Sequence, residues 1–419
     1  MMPTLDELRA MGSVMTRGRS KHSVTFLPEP EPRQRHFPLI SVDDHVVEPA
    51  GMFDGRLPAR LQARAPHVVE DEDGNQVWVY EHLREAHTGL NAVAGRPIEE
   101  CGMEPTRFDA MRRGAWDPTA RVRDMDINGV YASLNFPSAL SGFAGQRFQL
   151  GVDPEIGLAT VRAWNDWLLE EWAQAYPERF IPCQLPWLVD PVAGAEEVRR
   201  NAGRGFKAVT FPEGPEKLGL PSLHSGHWEP LMAACEETGT VVCLHVGSSS
   251  TIPDTSPDAP PDTIGVLFFG YAMFWAVDWL YSMIPVRHPR LIIALSEGGA
   301  GWVAGLIDRL DHILRYHQLY GTWTGIELTP AEVLRRNFRF CAIDDPSAFL
   351  QVDRIGAGNL MVESDYPHLD STWPDTQPLL AAHLSHLPAD VVAKITWGNA
   401  SEVFRHPVPT AVQQDPSAF

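Results

Sequence analysis

Residues 38–45 read Pro-Leu-Ile-Ser-Val-Asp-Asp-His, a short apolar run that ends in two carboxylates and an imidazole. The run is a strand candidate over Pro38–Val42, and Asp43 and His45, two apart at its end, project to the same side of an extended backbone. The same format recurs down the chain. Apolar runs at Gly129–Leu134, Phe180–Leu185, Phe206–Thr210, Val241–Val246, Leu291–Leu295, Phe338–Ile343 and Asn359–Glu363 bring the strand candidates to eight. Helix signals fall between them: Asp153–Tyr176 stops at Pro177, Trp228–Thr238 stops at Gly239, and Gly301–Tyr316 and Pro330–Asn337 fill later gaps. Strands alternating with helices predict an α/β fold, here a distorted (β/α)8 TIM barrel, with a doubly wound open sheet as the alternative.

Two features account for length beyond a minimal barrel. Residues 51–118 separate the first two strands and are too many for one loop, so an inserted subdomain is expected after strand one. Within it, His67–Val69 and Val77–Tyr80 flank Asp73-Gly74-Asn75, the pattern of a hairpin. Residues 248–263, reading SSSTIPDTSPDAPPDT, follow the fifth strand and form a lid-like loop by composition. The expected organisation is a flexible lead-in over 1–36, a barrel over 37–405 and a C-terminal tail over 406–419.

Lys and Arg number 34 against 54 Asp and Glu, a net charge of −20 that disfavours a nucleic-acid partner. The five cysteines form no Cys-x-x-Cys pair, and Arg17, Arg19 and Lys21 near the N-terminus accompany no apolar signal stretch, so a reducing, cytoplasmic location is expected. Residues 264–284 are almost wholly apolar, with Asp278 as their single charge. The run is isolated and flanked by no Lys/Arg cluster, so it reads as a covered helix rather than a membrane span. A homodimer through this helix is the expectation.

In such a barrel, functional side chains sit at the C-terminal ends of strands. Asp43 and His45 occupy that position on strand one, His245 on strand five, Glu297 on strand six and Asp365 on strand eight. Together they can surround one divalent metal with oxygen and nitrogen donors. Asp43 or Asp44 could instead cap a turn, and His245 could be a core histidine; Glu297 could satisfy the N–H groups of the Gly298-Gly299-Ala300 turn. Phe136, Trp302 and Trp373 are candidates for lining an apolar substrate pocket, and His368 for binding a substrate oxygen. His224 and His227, spaced His-x-x-His, fit surface or substrate-lining roles better than metal ligation. No Gly-x-Ser-x-Gly elbow, phosphate loop or dinucleotide fingerprint is present, which removes serine-hydrolase and nucleotide chemistry.

These residues resemble the amidohydrolase-related group, often called amidohydrolase 2, which includes aminocarboxymuconate semialdehyde and resorcylate-type decarboxylases. The matching segments are Ile40–His45, Arg123-Asp124-Met125-Asp126, Gly205-Phe206-Lys207-Ala208, His245, Glu297-Gly298-Gly299, Ser364-Asp365-Tyr366-Pro367-His368 and Gly398-Asn399-Ala400. The resemblance covers residues 38–405. It implies a barrel holding one divalent metal, zinc before manganese, on Asp43, His45, His245 and Asp365. One departure stands out: several decarboxylases of the group carry a histidine in His-Gly-Gly where this chain has Glu297. The expected reaction is non-oxidative decarboxylation of a small aromatic or unsaturated carboxylic acid, with Asp365 as the acid, Glu297 as relay and His245 beside them. The alternative is a hydrolase or hydratase using a metal-activated water with Glu297 as acid/base. A non-catalytic binding barrel is the remote third reading.

Overall fold

Apolar runs flanked by helices bury both faces of each strand, and the computed structural model closes eight of them into one barrel. It describes residues 24–419 apart from 103–104, 254, 257, 261 and 318–319, so most of the lead-in over 1–36 lies outside the described residues. The strands are β1 (Ile40–His45), then β2 (His67–Glu70), β3 (Gln76–Tyr80) and β4 (Leu83–Glu85) in the insertion, and β5 (Ala132–Phe136), β6 (Phe180–Gln184), β7 (Ala208–Thr210), β8 (Val241–His245), β9 (Ile293–Ser296), β10 (Phe338–Ala342) and β11 (Leu360–Val362). Around the barrel the order is β1-β11-β10-β9-β8-β7-β6-β5. β1 pairs in parallel with both β5 and β11, which rules out the open-sheet alternative. Each of the eight expected runs supplies one barrel strand.

Eight helices of eight or more residues are present among the described residues: α1 (Pro118–Asn128), α2 (Pro154–Trp167), α3 (Pro191–Arg204), α4 (Glu229–Thr238), α5 (Asp262–Tyr281), α6 (Val303–Tyr316), α7 (Pro330–Asn337) and α8 (Thr376–Leu384). The first three share one start signal, an Asp whose side chain accepts backbone N–H bonds of the first turn, followed by Pro at the first helical position. The stretch expected as one helix to Tyr176 is α2 followed by a π-helical segment over Leu168–Ala173. In that segment Trp172 donates its indole N–H to Asn135 of β5 (2.9 Å), tying the helix end to the barrel wall.

In the insertion, β2, β3 and β4 form an antiparallel sheet. Asp71 accepts the Asp73 and Asn75 N–H groups and closes the β2–β3 turn. Phe53 and Tyr80 pack on Phe148, beyond β5, and Trp78 packs on Phe53, which seats the sheet against the barrel. The described residues of the 248–263 loop contain no strand or helix before Asp262.

The apolar run expected around 264–284 is α5, the one helix among the described residues long and apolar enough to cross a membrane. Its inner face, Ala272, Trp275, Ala276, Trp279 and Leu280, is buried on the barrel. A Cβ on Gly298 would overlap Ala272, and one on Gly299 would overlap Phe269, so α5 lies directly on the turn after β9. Its outer face is open within one chain, with Val266 80% and Phe274 58% exposed. The expectation of a helix covered on most sides is therefore not met by the single chain.

Candidate metal centre

Alternation along β1 separates two neighbouring aspartates by function. Asp44 accepts hydrogen bonds from Ser41 Oγ (2.9 Å), Ser364 Oγ (2.6 Å) and the Tyr366 N–H (3.1 Å), stitching β1 to the segment after β11. Asp43, equally buried, turns the other way, and neither of its carboxylate oxygens has a hydrogen-bond partner. The turn-capping alternative thus belongs to Asp44, and Asp43 is left free.

Two histidines converge on the same point. The Nδ1–H of His45 donates to the Pro137 carbonyl (3.2 Å), and that of His245 to the Val246 carbonyl (2.7 Å). A carbonyl only accepts, so each ring carries its proton on Nδ1 and a lone pair on Nε2. Burial holds both imidazoles neutral, lowering His45 well below its ordinary value and His245 to about 3. Yet the two Nε2 atoms face each other at 3.1 Å. Asp365 Oδ1 lies 3.2 Å and Asp43 Oδ1 3.4 Å from His45 Nε2, and Asp43 Oδ2 lies 3.6 Å from His245 Nε2. Both Asp365 oxygens are also buried without a hydrogen-bond partner.

Buried lone pairs and carboxylates aimed at one another repel unless a cation stands among them. Asp43, His45, His245 and Asp365 therefore fit a divalent metal as a two-nitrogen, two-oxygen donor set. The electrostatics agree. Burial and then the surrounding carboxylates push Asp43, Glu297 and Asp365 well above the carboxylate range, and Glu363 sits at about 8. Among the described residues no Lys or Arg forms an ion pair with any of the four. Arg121, buried below, is committed to the backbone carbonyls of Gly114 and His45 and so anchors the end of β1.

Glu297 follows β9 in a left-handed backbone conformation (φ 60°) and brings Oε2 to 3.4 Å from His245 Nε2. Such a conformation in a non-glycine residue is costly and concentrates at functional sites. Its alternative reading, as a cap for the Gly298-Gly299-Ala300 turn, is not met. Asp345 accepts the Ala300 and Gly301 N–H groups, each at 2.7 Å, while Glu297 donates its own N–H to Glu363 (3.3 Å). The Glu297 carboxylate is thus free of that turn and stands beside the four-residue donor set.

His368 stacks on His45 (3.8 Å between ring centres) and turns Nδ1 toward Asp365 Oδ1 (3.1 Å). Phe136 is fully buried with its ring against both imidazoles. The two tryptophans are elsewhere. Trp302 donates to the Gly298 carbonyl (2.9 Å) and packs on Phe340, bracing the β9 turn from outside; Trp373 donates to the Asp124 carbonyl (3.0 Å) under the Arg112 guanidinium. Each indole N–H is claimed by a backbone carbonyl outside the donor set. His224 pairs with Asp278 of α5 at 2.8 Å, remote from the centre.

Three contributors escaped the sequence reading. Phe143 stacks on His245 at 4.2 Å and meets His45 edge-on at 5.3 Å, an apolar wall over the ligands. Glu213, just past β7 and raised to about 8 by burial, accepts the Gly247 and Ser249 N–H groups (3.1 and 3.4 Å), fixing the loop that leaves His245. Asp370, beyond β11, faces Asp365 and Glu297. Position just past a strand end would have flagged Glu213, but nothing local marks Phe143 or Asp370.

No curated protein matches the chain in sequence. Solved structures do match in fold. An amidohydrolase from Mycobacterium avium subsp. paratuberculosis K-10 aligns at 21% identity and TM-score 0.68, over 88% of this chain and 100% of that one. A 5-carboxyvanillate decarboxylase from Sphingomonas paucimobilis aligns at 22% identity and TM-score 0.61, over 88% and 99%. Another, from Novosphingobium aromaticivorans DSM 12444, was crystallised with manganese and 4-hydroxy-3-methoxy-5-nitrobenzoic acid; it aligns at 18% and 0.60, over 91% and 100%. The amidohydrolase family model matches residues 53–406, from the insertion to past the last barrel strand, and the chain accordingly belongs to the amidohydrolase family.

Proposed function

We propose that the chain is a metal-dependent carbon–carbon lyase that removes carbon dioxide from a small hydroxylated aromatic or unsaturated carboxylic acid. The observation that carries this reading is the pair of unprotonated Nε2 atoms 3.1 Å apart, ringed by unpartnered Asp43 and Asp365. Asp43, His45, His245 and Asp365 would hold the metal. When bound, it supplies a Lewis acid for the substrate carboxylate and an adjacent oxygen. Manganese replaces zinc as the first choice, supported by the manganese in the Novosphingobium aromaticivorans decarboxylase and by a donor set that is half carboxylate.

The chain's own residues supply the rest. The substrate ring lies against the apolar wall of Phe143, with Phe136 packed behind the imidazoles. As the bond to the carboxyl carbon breaks, its electron pair stays on the ring carbon, which takes a proton from Asp365 while carbon dioxide departs. Glu297 then relays a proton back to Asp365, and His368, stacked on His45, receives a substrate oxygen.

Hydrolysis or hydration is the second reading, and one observation favours it: Glu297, released from its turn by Asp345, stands 3.4 Å from His245 Nε2. A panel of hydroxybenzoates and of aryl esters, amides and lactones separates the two. Carbon dioxide release that stops on chelation supports the lyase; hydrolysis without carbon dioxide moves the assignment to the second reading.

We also propose that α5 pairs with a second copy of the chain, since Val266, Phe269 and Phe274 stand exposed on its outer face between Asp262 and Asp278. We further propose a reducing, cytoplasmic compartment, supported by five cysteines that form no Cys-x-x-Cys pair in the sequence.

A further inference from the structure

Asp365 stands in a left-handed backbone conformation (φ 51°), and neither of its carboxylate oxygens has a hydrogen-bond partner. The backbone therefore sets where this carboxylate stands, and a left-handed non-glycine residue persists only where its surroundings enforce it. The ties run through the two residues at the turn. The Asp365 N–H donates to the Asp43 carbonyl (2.9 Å), the Tyr366 N–H to Asp44 (3.1 Å), and the Tyr366 carbonyl accepts the His45 N–H (2.7 Å). The end of β1, which carries Asp43 and His45, thus meets the segment after β11 at Tyr366.

The Tyr366 side chain, buried throughout, ends on a charge pair that the reaction does not use. Its hydroxyl donates to Asp124 Oδ2 of α1, and Asp124 is also held by Arg112 through Nη2 (2.5 Å) and Nε (3.2 Å). Arg112 belongs to the insertion and is gripped on its other side by Glu29 (3.0 and 3.1 Å). The Arg121 guanidinium lies 4.5 Å from the centre of the Tyr366 ring while it bonds the Gly114 and His45 carbonyls. Nothing larger than glycine fits beside them: a Cβ on Gly114 would overlap the Asp124 carboxylate and the Tyr366 hydroxyl. A hydroxyl bonded to a buried, Arg-paired carboxylate is a strong tether.

We propose that Tyr366 and Asp124 are positioning residues for the metal centre: the bond between them fixes the Tyr366 backbone and, with it, the place of the Asp365 carboxylate against His45. This gives the Arg123-Asp124-Met125-Asp126 segment a part in a centre from which Asp124 is 242 residues distant along the chain at Tyr366. It also makes the insertion, through Arg112 and Gly114, one wall of the clamp. The inference rests on the reading of Asp43, His45, His245 and Asp365 as the ligands.

Tyr366→Phe removes one hydroxyl, keeps the ring beside Arg121 and leaves Asp124 bonded to Arg112. The full chain is stripped with chelator and titrated with Mn2+ by calorimetry, and the bound ion is followed by electron paramagnetic resonance. The variant is expected to bind Mn2+ about 10–100-fold more weakly than wild type, with an altered zero-field splitting. Should Tyr366→Phe not fold, judged by circular dichroism, Gly114→Ala presses on the same bond from the insertion and is read for the same two changes. A folded variant with wild-type affinity and line shape overturns the clamp, whatever its melting temperature, and leaves the centre standing. Wild type that binds no Mn2+ overturns both.

Discussion

His45 and His245 owe their chemistry to their Nδ1 partners, since the Pro137 and Val246 carbonyls leave Nε2 as the only atom able to bind a cation. Removing one should therefore cost the metal centre directly. His245→Ala is expected to lower its affinity for Mn2+ at least tenfold, read by calorimetric titration of metal-free protein; unchanged affinity would remove His245 from the ligand set. Glu297→Gln keeps size and shape but cannot exchange a proton, so kcat should fall by about 10²–10⁴ while the cation at His45 and His245 remains. These side chains were legible in the sequence because each stands just past an apolar strand run. The division of labour between Asp43 and Asp44 was not, because it is made by Ser364 and Tyr366, more than 300 residues away. Likewise Asp345 claims the Gly298–Gly301 turn from another loop. The backbone partners of Trp302 and Trp373 were likewise not legible, since an indole signals burial and only the fold decides which carbonyl its N–H meets.

At the scale of elements, β4 is tied to the loop after β5 through Glu85, which bonds Arg147 (2.7 Å) and the His87 N–H (2.8 Å). Burial alone would raise the Glu85 carboxyl, but His87 and Arg147 outweigh it and hold it at about 2. A folded value below the unfolded one contributes stability that is complete above about pH 4.5 and disappears as pH falls toward 2. The shift corresponds to about 3 kcal/mol. Glu85→Gln should flatten the acid limb of the stability curve below pH 4.5 by that order, measured by urea unfolding; an unchanged limb would assign the acid sensitivity elsewhere. The strand and helix order was readable from hydrophobic alternation and from the Asp-Pro starts, since both act locally. The π-helical end of α2 was not, as it depends on Trp172 finding Asn135 in β5.

For the molecule as a whole, the acidic balance and α5 act together. Two copies of net charge −20 repel over most of their surfaces and approach most easily through an apolar stretch, such as the part of α5 between Asp262 and Asp278. Phe274→Glu places a charge at its centre, and sedimentation velocity should find wild type as a dimer and the variant as a folded monomer; a dimeric variant would exclude this face. Length and pattern sufficed to read one barrel with an insertion, because closure needs only eight strands and their crossovers. They did not reveal how much of α5 the barrel would leave open. Central to the chemistry of the barrel mouth is a cation where the two imidazoles meet. Anomalous diffraction at the manganese edge from crystals grown with Mn2+ should place its strongest peak between His45 Nε2 and His245 Nε2, in reach of Asp43 and Asp365. A map with no peak there, at saturating Mn2+, would contradict it.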